Sequence, residues 1–178
     1  MKIWTDDKKW SDKFLVEIKR ILGEHLISCA PVEEDTDHNT DLIVLKLDAV
    51  RIACRIRRFS YFEKYPNEFT IRSGRPSGVK TELTKIIEGW GDYFFYGFSN
   101  KTETGLIAWV LGDLKVFRLW FNREIVSKGG KIPGIPQVNN DGSSCFMAFG
   151  LDKMPDKFVV ARKEPESATQ QQLELLGL

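Results

Sequence analysis

Residues 41–58 read Asp41-Leu42-Ile43-Val44-Leu45-Lys46-Leu47-Asp48-Ala49-Val50-Arg51-Ile52-Ala53-Cys54-Arg55-Ile56-Arg57-Arg58. They decide the fold class, because here the hydrophobic period becomes two, the repeat of a half-buried strand. Residues 41–47 predict a mostly buried strand, Asp48-Ala49 a turn, and 50–58 a second strand. In the second strand Ile52, Cys54 and Ile56 point one way, and Arg51, Ala53, Arg55 and Arg57 the other.

Outward from this pair the chain alternates element types. Before it, Phe14, Leu15, Ile18, Ile21 and Leu22 recur at helical spacing, with Ser11 as a candidate N-cap. After it, Glu68–Arg72 predicts a third strand and Arg75-Pro76-Ser77-Gly78 a turn. A helix beginning near Lys80 or Thr81 carries Leu83, Ile86, Ile87 and Trp90. Residues 93–98 and 106–111 predict two more strands, and Asp113 is a candidate cap for a helix reaching Ser127. Residues 129–144 form a Gly/Pro/Asn-rich loop, and 145–151 and 157–161 predict short edge strands. This order describes an α/β fold, a single mixed β-sheet flanked by helices. Residues 1–163 make one domain and 164–178 a polar tail.

Composition narrows the class. In 178 residues, 42% hydrophobic and 29% charged, there is material for one core, which excludes disordered and fibrous chains. Three cysteines and two histidines are too few for a disulfide framework or a zinc cage. No apolar run reaches the roughly 18 residues of a spanning helix, and the start, MKIWTDDKKW, has no apolar signal region. The expectation is a reduced cytoplasmic protein with no membrane partner. The formal net charge of +1 conceals two blocks. Residues 29–48 hold six acids against one base, and residues 51–75 hold six of the ten arginines plus Lys64 against two acids.

Arginine suits planar, bidentate recognition of phosphate. Arg51, Arg55 and Arg57 on one strand face, with Arg72 and Arg75 beyond, predict a nucleic-acid-binding row. Phe59, Tyr61, Phe62 and Tyr65 are available for stacking. The structural alternative is a solvated face of cross-strand ion pairs. Asp41 and Glu68, each opening a strand, are candidate ligands for Mg²⁺ or Mn²⁺, hard cations that take carboxylates, water and phosphate oxygens. Such a metal activates water against a phosphodiester.

A helix with an acid at Glu17, then Asp41 at a strand, a hairpin, Glu68 on a further strand and a helix resembles the PD-(D/E)XK nuclease core over about residues 11–98. Restriction endonucleases and Holliday-junction resolvases belong to that superfamily. Asp41 in Thr40-Asp41-Leu42-Ile43-Val44 matches the first motif aspartate, with Thr40 in place of proline. Glu17 is similar to the helix glutamate of the resolvase branch. The second half-motif departs from the pattern: the second strand has no acid, and Glu68-Phe69-Thr70 stands one strand later with Thr70 at the lysine position. The resemblance implies a restriction-endonuclease-like fold and a metal-dependent DNA endonuclease of phage type. Asp41 and Glu68 would be catalytic and metal-binding, and Glu17 and Glu82 auxiliary metal carboxylates. Lys80 or Lys85 would supply the displaced ammonium. Resolvase-like members act as homodimers, so a homodimer is implied as well.

The rival class is a non-catalytic DNA-binding or protein-interaction module on the same fold, which the missing second-strand acid favours. Gly74–Thr81 lacks the glycine spacing of a P-loop, and Cys54 on the apolar side of its strand reads as a core residue.

Overall fold

A computed structural model describes residues 4–29, 42–44, 50–139 and 141–165. Asp41, the 48–49 turn and most of the tail lie outside the described residues. Helices α1 (Trp4–Asp12) and α2 (Leu15–Leu26) come first, followed by the short strands β1 (Ile27–Cys29) and β2 (Leu42–Val44). Next are β3 (Ile52–Arg57), α3 (Phe59–Lys64), β4 (Glu68–Gly74) and α4 (Glu82–Ile87). The hairpin β5 (Tyr93–Ser99) and β6 (Leu106–Asp113) leads into α5 (Leu114–Ser127), and β7 (Ile135–Val138), β8 (Cys145–Gly150) and β9 (Val159–Lys163) complete the chain.

The α/β class and the mixed sheet are present. Four strands run in the order β3-β5-β6-β9. β3 is parallel to β5, with Arg55 opposite Tyr96 and Arg57 opposite Phe98, while the other two pairings are antiparallel. A parallel pair needs a long crossover, and α3, β4 and α4 supply it. The expectation of a single sheet is corrected in two places. β2 pairs antiparallel with β1, and β4 belongs to a separate antiparallel sheet ordered β4-β8-β7. β8, expected at an edge, is the centre of that sheet. Alternation fixes which side chains are inward but not which strand lies alongside, so β4 satisfies its pattern equally well in a second layer.

Packing explains the layers. On one face of the four-stranded sheet Ile56, Phe95, Leu106, Trp109 and Leu111 meet Phe14, Ile18 and Ile21 of the α2 region. The other face presents Phe94, Tyr96, Phe98, Ala108 and Val110 to Phe69, Ile71, Met147 and Phe149 and to Leu114, Phe117 and Phe121 of α5. Phe69 is the hub, its ring 5.3–6.4 Å from those of Phe94, Tyr96, Phe117, Phe149 and Phe158. Each such ring contributes about 1.5–3 kcal/mol on burial. The helix expected from Ser11 begins three residues later, because α1 occupies Ser11. The Ser11 hydroxyl donates back to the Lys8 carbonyl instead of capping. Asp113 caps as expected, accepting from Lys115 N at 2.7 Å and Val116 N at 3.1 Å.

Where β6 crosses the inner layer the backbone must come close. A methyl group at Gly112 would stand 2.4 Å from Phe158 Cζ, and Phe158 is fully enclosed. Gly112→Ala is expected to cost about 1–3 kcal/mol, read as a lower urea midpoint with an unchanged m-value. An unchanged midpoint would contradict this packing.

Candidate functional site

The parity of β3 that sends Ile56 into the core sends Arg55 and Arg57 to the opposite face, roughly 7 Å apart along the strand. On β4, Arg72 shares a face with Glu68 and Thr70, and stands opposite Phe146 in the β4–β8 register. The two sheets thereby bring three guanidinium groups around one ring. Arg55, Arg57 and Arg72 lie 5.1, 5.8 and 5.5 Å from the Phe146 centroid, within cation–π range. Arg57 also stacks at 4.0 Å over Tyr61, at the surface of α3.

One carboxylate serves this cluster. Glu82, in the first turn of α4, accepts from Arg55 Nη2 at 2.8 Å and from the Arg72 backbone N at 3.2 Å. The pair is largely covered, with side-chain exposures of 14% for Arg55 and 23% for Glu82. Among the described residues no carboxylate pairs with the guanidinium of Arg57 or Arg72, and the buried Nε of each has no hydrogen-bond partner. Burial lowers the pKa of Arg55 and neighbouring Arg57 lowers it further, while Glu82 raises it. Arg72 is lowered first by burial and then by Arg55 and Arg75. Three cations face one anion across an apolar ring, with two N–H donors uncommitted. That arrangement suits a phosphate or a similar oxyanion.

Tyr96 adjoins the cluster from β5. Its hydroxyl lies 3.2 Å from Thr70 Oγ1, and burial raises its pKa against the lowering effect of Arg57. Arg51 and Arg75 are exposed at the margins: Arg51 precedes β3, with its N–H on Asp92, and Arg75 opens the turn closed by Gly78 N–H.

Among the described residues, the carboxylates expected at a metal stand on three different elements, α2, β4 and α4. Asp41 lies outside the described residues. Glu82 is engaged by Arg55. Glu68 is four residues from Arg72, roughly 13 Å along β4. Glu17 is on α2, accepting from the Leu106 N–H with both oxygens at 3.1 and 3.3 Å. Among the described residues no three His, Cys, Asp or Glu side chains form a group able to hold a metal ion. Lys80 is exposed and paired with Glu88 at 2.6 Å, and Lys85 is exposed on α4. Neither is placed against Glu68 by any described contact.

A second charged cluster, at the β5–β6 turn, is structural. Glu103 accepts from Trp10 Nε1 at 2.7 Å, Lys13 Nζ at 3.3 Å and Arg58 Nη1, while Arg58 covers the Trp10 ring at 4.4 Å. The Trp10 hydrogen bond, against desolvation and with help from Lys13 and Arg58, holds the Glu103 carboxyl below its ordinary range. A depressed folded pKa stabilises above the unfolded value of about 4.3 and is lost as pH falls through the folded one. The wild type is therefore expected to lose more melting temperature than Glu103→Gln between pH 6 and pH 3. Parallel pH profiles would show that the clamp contributes nothing.

Sequence reading found the arginines, Glu82 as a carboxylate and Tyr61 as a stacking ring, but not Phe146 or the Tyr96–Thr70 contact. Arg55 and Phe146 are 91 positions apart, and no local pattern joins them. No protein-family model, curated protein or solved structure matches this chain.

Proposed function

We propose that the protein binds nucleic acid through its phosphate backbone, with Arg57 and Arg72 as the principal contacts. The observation that carries this reading is the trio of guanidinium groups around Phe146 with Glu82 as its one carboxylate among the described residues. Arg55, fixed by Glu82, holds the field positive and positions its neighbours. Arg51 and Arg75 extend the row to adjacent phosphates, which favours a polyanion over a single small one. Fluorescence anisotropy with a labelled oligonucleotide across a salt series is the test. Affinity that falls linearly on a log–log plot supports backbone contact, and the absence of binding at low salt removes the reading.

A metal-dependent DNA phosphodiesterase on a restriction-endonuclease-like core is the second reading. One observation favours it: Glu68 lies on the same β4 face as Arg72, so a carboxylate follows the phosphate-binding strand. The mixed sheet carrying α2 on one face supports the fold counterpart. Cleavage of branched or linear DNA with Mg²⁺ or Mn²⁺, abolished in Asp41→Asn and in Glu68→Gln, is its required result. Cleavage that survives both changes eliminates it.

A further inference from the structure

Beside the arginine cluster lies a cavity of about 360 Å³ lined in part by Phe62, Tyr96 and Phe98. The walls are braced: Phe62 meets Phe98 edge-on at 5.5 Å, and Tyr96 meets Phe98 at 5.3 Å. Asn67 and Glu68 stand at its polar side, and Lys163 of β9 also lines it. Small-ligand pockets begin at roughly 300 Å³ and combine apolar walls with a few polar groups. A cavity of this size has room for one ring system and none for a duplex.

Two elements join the cavity to the phosphate-binding face. Helix α3 gives Tyr61 to Arg57 and the next residue, Phe62, to the cavity. Strand β4 gives Arg72 to the cluster and Glu68 to the cavity, with Thr70 between them holding the Tyr96 hydroxyl. Glu68 and Arg72 stand roughly 13 Å apart along β4, so a strand with one base in the cavity has room to set neighbouring phosphates on the arginine face.

We infer that the cavity receives a nucleobase of single-stranded nucleic acid whose flanking phosphates lie on Arg57 and Arg72. The inference rests on the phosphate-binding reading above and names its substrate class. A base paired in a duplex shows only its edge to a protein, whereas an unstacked base offers its face to the partly exposed Phe62 and its pairing edge to Asn67 and Glu68.

The test compares a short thymidine oligonucleotide, an abasic strand of the same length and the matching duplex, by anisotropy at fixed salt. Wild type is expected to bind the thymidine strand about tenfold more tightly than the abasic strand, and more tightly than the duplex. Phe62→Leu, which keeps apolar bulk but removes the aromatic face, should bring thymidine and abasic strands near parity while abasic binding is unchanged. Asn67→Ala, at an exposed position, should reduce the same preference and serves if Phe62→Leu melts early. Equal wild-type binding of thymidine and abasic strands, with salt dependence intact, overturns the cavity and leaves the phosphate site standing. A full preference retained in both variants, or duplex preferred over single strand, also overturns it. Binding of no strand at all fails the phosphate reading and this inference with it.

Discussion

Glu82→Ala is expected to lose about 3 kcal/mol of folding stability, the low end for breaking a covered ion pair by removing one partner. For a chain of this length that is about 6–12 °C in melting temperature. The loss comes from what remains. Arg55 keeps its charge in a poorly solvated position 5.1 Å from Phe146, and the Arg72 backbone N–H loses its acceptor. Glu82→Gln retains an acceptor without the charge and should lose less. The same substitution makes the cluster more positive, so oligonucleotide affinity should rise as stability falls. Inorganic phosphate should also raise the melting temperature of the variant more than that of wild type, by linkage of anion binding to folding. Opposite movements of stability and affinity are hard to obtain from general damage to the fold. A variant that melts within about 2 °C of wild type would show that Glu82 does not hold this cluster together.

Arg57→Ala combined with Arg72→Ala should have the largest effect on binding. Two charge-assisted contacts at about 1.5 kcal/mol or more each amount to about a hundredfold in affinity at low salt. Loss of two phosphate contacts should flatten the log–log salt slope for a single strand by about 1.4. Folding should lose less than in Glu82→Ala: ring contacts with Phe146 and Tyr61 go, but neither guanidinium has a carboxylate partner among the described residues, and removing Arg57 relieves repulsion on Arg55. Lysines at both positions keep the charge but lose the fork, so the salt slope should survive while affinity falls partway. An alanine pair with wild-type slope would place the phosphates elsewhere.

The strand pattern was legible where one residue decides the next. Alternation in 50–58 placed Ile56 in the core and Arg55 and Arg57 opposite, and Asp113 was readable as a cap from its position before an apolar helix. What could not be read is strand adjacency. β4 has the alternation of a neighbour to β3, yet it pairs with β8, more than seventy residues later. Helix α3 has six residues, too few for a helical period to separate from chance, and it carries Tyr61 and Phe62. β7, an exposed edge strand beginning at Ile135-Pro136, lay inside a glycine- and proline-rich stretch that reads as loop. Glu82 stood out as a carboxylate, but its role depends on Arg55 arriving from another sheet. Glu17 fell outside the apolar stripe of its helix, and only the fold shows it holding the first N–H of β6.

The ring of Phe146 has a consequence for how the molecule assembles. Its cationic neighbours come from β3 and β4, its own strand is β8, and the carboxylate comes from α4. No hairpin or contiguous segment contains more than part of this set, so the cluster cannot exist in a partly folded chain. Its pairings carry high sequence separation, the kind that closes late. A bound polyanion would therefore act as a tie between the two sheets. Backbone amides in β3, β4 and β8 should gain hydrogen-exchange protection together, as one cooperative unit, while α1 at the far side keeps its local opening.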